Sequence, residues 1–161
     1  MNLENIDIVK VSDSNYKIYQ LENSKRKDLI LEFEDIISPF GLEEFYHVFY
    51  INWEIDQPTL KIVSQFEQEF RDLVLRSNPK YKSWSWVSNI KEKNGFNPLL
   101  KTRVPQSKGK FIVKTTTSLY EINYKSKLNI AISLDSVWFM DKNKTFGLLW
   151  LVNTINTSLQ T

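Results

Sequence analysis

The chain contains no cysteine, which excludes disulfides and thiolate metal sites. Histidine occurs once, so any pairing of a nucleophile with an imidazole base would have to use His47. Four glycines and five prolines in 161 residues are too few for a linker-like or collagenous chain. No uninterrupted apolar run approaches the ~18 residues of a membrane span. Met1 leads into "NLENID" with neither a basic region nor an apolar core, so no signal peptide is expected. Gly-rich phosphate loops, HExxH and paired CxxC motifs are absent as well. The expectation is a cytoplasmic protein with no membrane partner and no cofactor.

What is present fits one folded domain across 1–161. A hydrophobic fraction of 42% and an aromatic fraction of 14% exclude a disordered chain and supply a single sizeable core. Charge is distributed unevenly. Residues 1–79 carry 15 acidic and 8 basic side chains, whereas residues 80–127 carry 11 basic ones against Glu92 and Glu121 alone. Residues 128–161 balance at two of each. A cationic middle section after an acidic first half points to a polyanionic partner.

Strand patterns dominate the chain. "IDIVKV" (6–11) and "YKIYQL" (16–21) flank the turn composition "SDSN". "NSKRK" (23–27) interrupts, and "LILEFEDII" (29–37) alternates before the turn "SPFG" (38–41). "FYHVFYINWEI" (45–55) alternates throughout, so one continuous strand is expected, with Phe45, His47, Phe49, Ile51, Trp53 and Ile55 on one face. One amphipathic helix is expected over about 59–77, where Val63, Phe66, Phe70, Leu73 and Val74 form a stripe and Asp56 or Thr59 caps the start. Further strands are expected at 109–116, 118–124 and 127–134, with a closing hairpin from 136–140 and 148–155. The fold class is therefore mainly β, a small barrel with extra strands and one inserted helix. Phe49, Ile51, Trp53, Phe66, Phe70, Trp138 and Trp150 are assigned to its core.

His47, in an apolar alternation, reads as a core or rim histidine. Glu32, Glu34 and Asp35 on one strand, and Glu67, Glu69 and Asp72 on the helix, read as solvated faces rather than a two-metal site. Neither catalysis nor a bound metal is expected. Single-strand binders, by contrast, combine a cationic groove with aromatic platforms. Here Lys80, Tyr81, Lys82, Trp84 and Trp86 precede Lys91, Lys93, Phe96, Lys101, Arg103, Lys108, Lys110 and Lys114. In an extended "GKFIVKT", Lys110 and Lys114 share a side with Ile112. Lys25, Arg26 and Lys27, at an expected hairpin turn, extend the track. Trp84 and Trp86 face the same way if extended and diverge if helical; core packing and base stacking both remain open for them.

Four stretches carry a family resemblance: "SPFGLEEF", "SNPKYKSWSW", "FNPLLKTRVPQSKGKFIVKT" and "DSVWFMDKNKTFGLLWLVNTI". In kind and order they resemble motifs of the OB-fold single-stranded DNA-binding proteins of phages, large cytoplasmic DNA viruses and linear cytoplasmic plasmids. The likeness spans about residues 29–155. It implies an OB-like Greek-key barrel, non-catalytic coating of single-stranded DNA in replication or recombination, and DNA contacts among the aromatics and bases of 80–114. The implied partners are single-stranded DNA, replication proteins and further copies of the chain, in the host cytoplasm or a viral factory. The chain departs from that family at its end, "NTINTSLQT", which has no acid after Asp141, so recruitment through an acidic tail is not expected. Two other readings are a protein-interaction module of a replication or virion assembly and a metal-dependent nuclease.

Overall fold

The computed structural model describes residues 5–158, so Met1–Glu4 and the last three residues of "NTINTSLQT" lie outside the description. β1 (Ile6–Ser12) and β2 (Asn15–Glu22) form a hairpin, and β3 (Lys25–Lys27) folds back onto β2. The second reversal uses Asn23 and Ser24, both at positive φ, the twist that tight hairpins favour. Lys25, Arg26 and Lys27 thus lie in a strand rather than in the turn. β4 (Leu29–Ile36) alternates as expected, exposing Ile30, Glu32 and Glu34.

The expected continuous strand over 45–55 does not exist. β5 (Leu42–Phe45) and β6 (Val48–Glu54) are antiparallel, pairing Phe45 with Val48 and Leu42 with Ile51. Tyr46 and His47 make the turn at φ 48° and 65°. "FYHV" lacks the Asn-Gly signature of such turns, so its composition hides the reversal. The consequence is a change of face. Phe45 sides with Val48 and Tyr50, not with Phe49 and Ile51, and His47 is exposed at the tip instead of sitting at a core rim.

The helix, α1 (Gln57–Ser77), begins two residues earlier than expected. Asp56 caps it, its Oδ1 accepting the Thr59 N–H at 2.8 Å. Val63, Phe66, Phe70 and Val74 are buried on one stripe, and Phe66 meets Trp150 edge-on. No helix among the described residues is long and apolar enough to cross a membrane.

The remaining strands assemble around the two longest. β7 (Ser85–Val87), β8 (Ile90–Lys91) and β9 (Leu99–Val104) follow the helix; β10 (Gln106–Ser107) and β11 (Lys110–Phe111) form a small separate hairpin; β12 is Lys114–Thr115. β13 (Leu128–Met140) and β14 (Thr145–Thr157) form the closing hairpin, each 13 residues long. The break expected at Asp135 is a bulge inside β13, and Asp135 is held there by the Lys17 ammonium of β2. Burial opposes the charge of that ammonium, but the bond and field of Asp135 outweigh it and hold the Lys17 pKa above its usual value.

On its other edge β13 pairs with β4 and β2. The outer edge of β14 takes β7, β9 and β12 in turn, all parallel, and β6 lies against β9. The result is mainly β with one helix, as expected. A closed barrel is not formed. The hairpin partner β5 occupies the far edge of β6, so β6 reaches the chain after β4 only at its end, where the Glu54 N–H donates to the Ile37 carbonyl at 2.9 Å.

Two further expectations fail for the same kind of reason. The stretch 109–116 is interrupted at Ile112–Val113, and 118–124 contains a 3-10 turn, Leu119–Glu121, instead of a strand. Leu119 and Ile122 are both buried, a three-residue step that a strand cannot bury on one face. Beside this turn runs Gly41, at φ 63°, where a Cβ would stand 2.2 Å from the Ile122 carbonyl oxygen. Trp53, Phe66, Phe70, Trp150 and Ile51 are buried, whereas Phe49 and Trp138 are half-buried. The Trp53 indole N–H donates to Thr102 Oγ1 at 3.0 Å, so its one polar atom is satisfied inside the core.

Candidate nucleic-acid interface

Alternation along β9 buries Leu100, Thr102 and Val104 and turns Lys101 and Arg103 outward. Register then decides their neighbours. Arg103 lies opposite Tyr50 and Lys101 opposite Asn52 on β6, while Lys91 of β8 pairs with Leu99 and so shares their outward face. Two cations of β9 stand beside the Tyr50 ring, with Lys101 Nζ 4.1 Å and Arg103 Cζ 5.9 Å from its centroid. Lys114 pairs with Thr154, three residues along β14 from the Leu151 partner of Arg103, which is ~10 Å at strand rise. A depression lined by Asp28, Phe111, Ile112, Val113, Asn153 and Thr154 includes Lys114, so this cation shares its surface with one carboxylate. Acids border this face at both sides: Asp28 beside Lys114, and Glu43 opposite Tyr50, the Glu43 Oε1 accepting the Asn52 amide at 2.9 Å.

The ion pairs among the described residues all lie outside this region. Among the described residues the Lys and Arg ion pairs are Lys10–Asp13, Lys17–Asp135, Arg26–Asp7, Lys27–Glu22 and Lys144–Asp141. None involves any of the 11 cations of residues 80–127. Arg103 Nε is shielded from solvent and has no hydrogen-bond partner among the described residues.

The sequence candidates divide accordingly. Lys91, Lys101, Arg103 and Lys114 come together on the sheet face. Lys108 and Lys110 project from the β10–β11 hairpin, where Lys108 and Gly109 make the turn at positive φ. Lys93 and Phe96 are exposed in the turn after β8, the ammonium 5.4 Å from the ring centre. Lys80 and Lys82 lie at the far end of α1. There Lys82 shares its surface with Glu69 and Asp72, and Lys80 shares its own with Asp13 and Asp141. Of the 25–27 trio, Arg26 and Lys27 are neutralised by Asp7 and Glu22. One continuous trough over 80–127 is therefore not formed.

The aromatic candidates require correction. Tyr81 is buried, stacked at 4.1 Å on Phe139, and cannot serve as a platform. Trp84 and Trp86 do share a side, because the chain is extended from Trp84 into β7, but it is the packed side. Both are half-buried, Trp84 edge-on to Phe139 at 6.3 Å and Trp86 edge-on to Phe146 at 5.1 Å. Lys144 lies 5.1 Å from the Trp84 ring centre. Sequence reasoning missed Tyr50 as a platform. Its sign was an aromatic placed on the polar face of an alternating strand. Among the described residues, no three His, Asp or Glu side chains are grouped to hold a metal ion.

No protein-family model matches the chain, and no curated protein matches it in sequence.

Proposed function

We propose that this chain binds single-stranded DNA, without catalysis and largely without reading sequence, through the outward face of β6, β8, β9 and β12. One observation supports this reading above others: Lys101 and Arg103 stand beside the Tyr50 ring on the outward sheet face, within a segment whose cations form no ion pair among the described residues. Phosphates would take up Lys91, Lys101, Arg103 and Lys114, each contact releasing condensed counterion. Once a phosphate draws Lys101 aside, the Tyr50 ring offers a base its face. A role in replication or recombination, with replication proteins or further copies as partners, and an OB-type ancestry belong to the same proposal.

The test is fluorescence anisotropy of a labelled oligo-dT against ionic strength. Four phosphate contacts at about 0.7 each predict affinity falling roughly 50-fold between about 50 and 200 mM salt. An interaction module that meets an acidic protein predicts no binding at either salt. That result would overturn the proposal.

A further inference from the structure

We infer that the tip of the β5–β6 hairpin, Phe45, Tyr46 and His47, is a second contact point for unpaired nucleobases, an inference that rests on the nucleic-acid reading above. Phe45 is 66% exposed, Tyr46 83%, and the His47 side chain 99%. Single exposed aromatics are ordinary on protein surfaces, but three consecutive rings are not scattered ones. The Phe45 and Tyr46 rings meet edge-to-face with centroids 4.5 Å apart, giving a preformed aromatic wedge.

The backbone beneath them is strained in a telling way. Tyr46 and His47 occupy left-handed positions where Asn-Gly would be comfortable, so the tip keeps rings at a conformational cost. Strain of that kind clusters at binding and catalytic sites.

Register places the wedge beside the proposed face. Phe45 pairs with Val48 and hence lies on the same outward side as Tyr50. At this end of the sheet Phe49 pairs with Val104, the last residue of β9, and the chain passes through Pro105 into the β10–β11 hairpin. That hairpin is rooted against β6, with Phe111 and Phe49 rings 5.0 Å apart and the Ile112 N–H donating to the Pro105 carbonyl at 2.8 Å. Phe49 points to the face opposite Phe45 and Tyr50, so the tip bearing Lys108 and Lys110 leaves the same end of the sheet from the other face. Exposed rings at the end of the face that carries Lys101 and Arg103 fit a single strand, the rings for bases and the cations for phosphates. A duplex hides its base faces within the stack and gives the wedge nothing to grip.

The experiment compares three proteins on labelled oligo-dT and on a duplex of equal length, at low salt. They are the natural chain, Tyr46→Asn/His47→Gly, and Lys101→Ala/Arg103→Ala. The tip variant gives the turn its preferred residues, so its melting temperature should rise by about 2–4 °C. Its affinity for oligo-dT should nevertheless fall about tenfold, with duplex affinity unchanged. If oligo-dT binds the tip variant as tightly as the natural chain while the face variant is weakened, the inference is overturned and the proposed function stands. A loss of self-association with unchanged oligo-dT binding would also overturn it, assigning the tip to a protein contact. Absence of binding by the natural chain would remove both.

Discussion

Lysine and aromatic side chains alternate in two places, and the fold treats them oppositely. At Lys80–Trp86 the rings turn inward: Tyr81 stacks on Phe139, and Trp84 and Trp86 brace Phe139 and Phe146. Around β6 and β9, Tyr50 is half-buried too, but it stays off the core, beside Lys101 and Arg103. The first region is a plug at one end of the sheet; the second is an open face. Interleaved composition alone therefore does not define a binding surface. What distinguishes the two is which side of a strand the rings occupy, and what the closing hairpin places against them.

The widest separation should come from Tyr81→Ala. Removing a buried ring costs about 3–5 kcal/mol, which urea unfolding would register, while protein that remains folded should bind oligo-dT normally. Unaltered stability would mean the plug is not packed as described. Next, Lys101→Ala with Arg103→Ala should weaken oligo-dT binding about 10- to 100-fold and make the salt slope shallower by about 1.4, with little change in melting temperature. Equal losses from Lys80→Ala with Lys82→Ala would erase the contrast between the regions. Tyr50→Ala should cost about tenfold in affinity and Tyr50→Phe almost nothing, since stacking uses the ring and not the hydroxyl. Titration with oligo-dT should also leave tryptophan emission nearly unchanged, because Trp53 and Trp150 are buried, Trp84 and Trp86 pack on Phe139 and Phe146, and Trp138 belongs to β13; strong quenching would return the site to Trp84 and Trp86.

The smallest effect concerns pH. The Thr59 side chain and backbone N–H hold the Asp56 carboxyl below its usual value. A depressed carboxylate stabilises the fold above its unfolded-state pKa, and that contribution disappears as pH falls through the folded-state value. Melting temperature followed from neutral pH down through the acid range should decline less steeply in Asp56→Ala than in the natural chain.

Much of the architecture could be read from local pattern. The amphipathic stripe from Val63 to Val74, the alternation in β4 and the closing hairpin all depend on residues close in sequence. The errors arose where distant residues decide. Nothing in "FYHV" announces a reversal, because Tyr46 and His47 adopt a backbone they do not prefer. Nothing near Tyr81 reveals that Phe139 and Phe146 will cover it. Asp135 looked like a strand end until Lys17, 118 positions away, was seen to neutralise it inside a bulge. The cationic segment was visible as charge, but only the pairing of β8, β9 and β12 chose which of its lysines share a face.

The strand that organises the sheet, β14, is the last of the described elements to be synthesised. Three stretches made earlier, at Ser85–Val87, Arg103 and Lys114–Thr115, have no ladder to join on that side until Thr145–Thr157 emerges from the ribosome. Until then the nascent chain must carry Trp86, Phe139 and much of its future core without cover, and a stop before Thr145 would leave those three stretches without their shared partner.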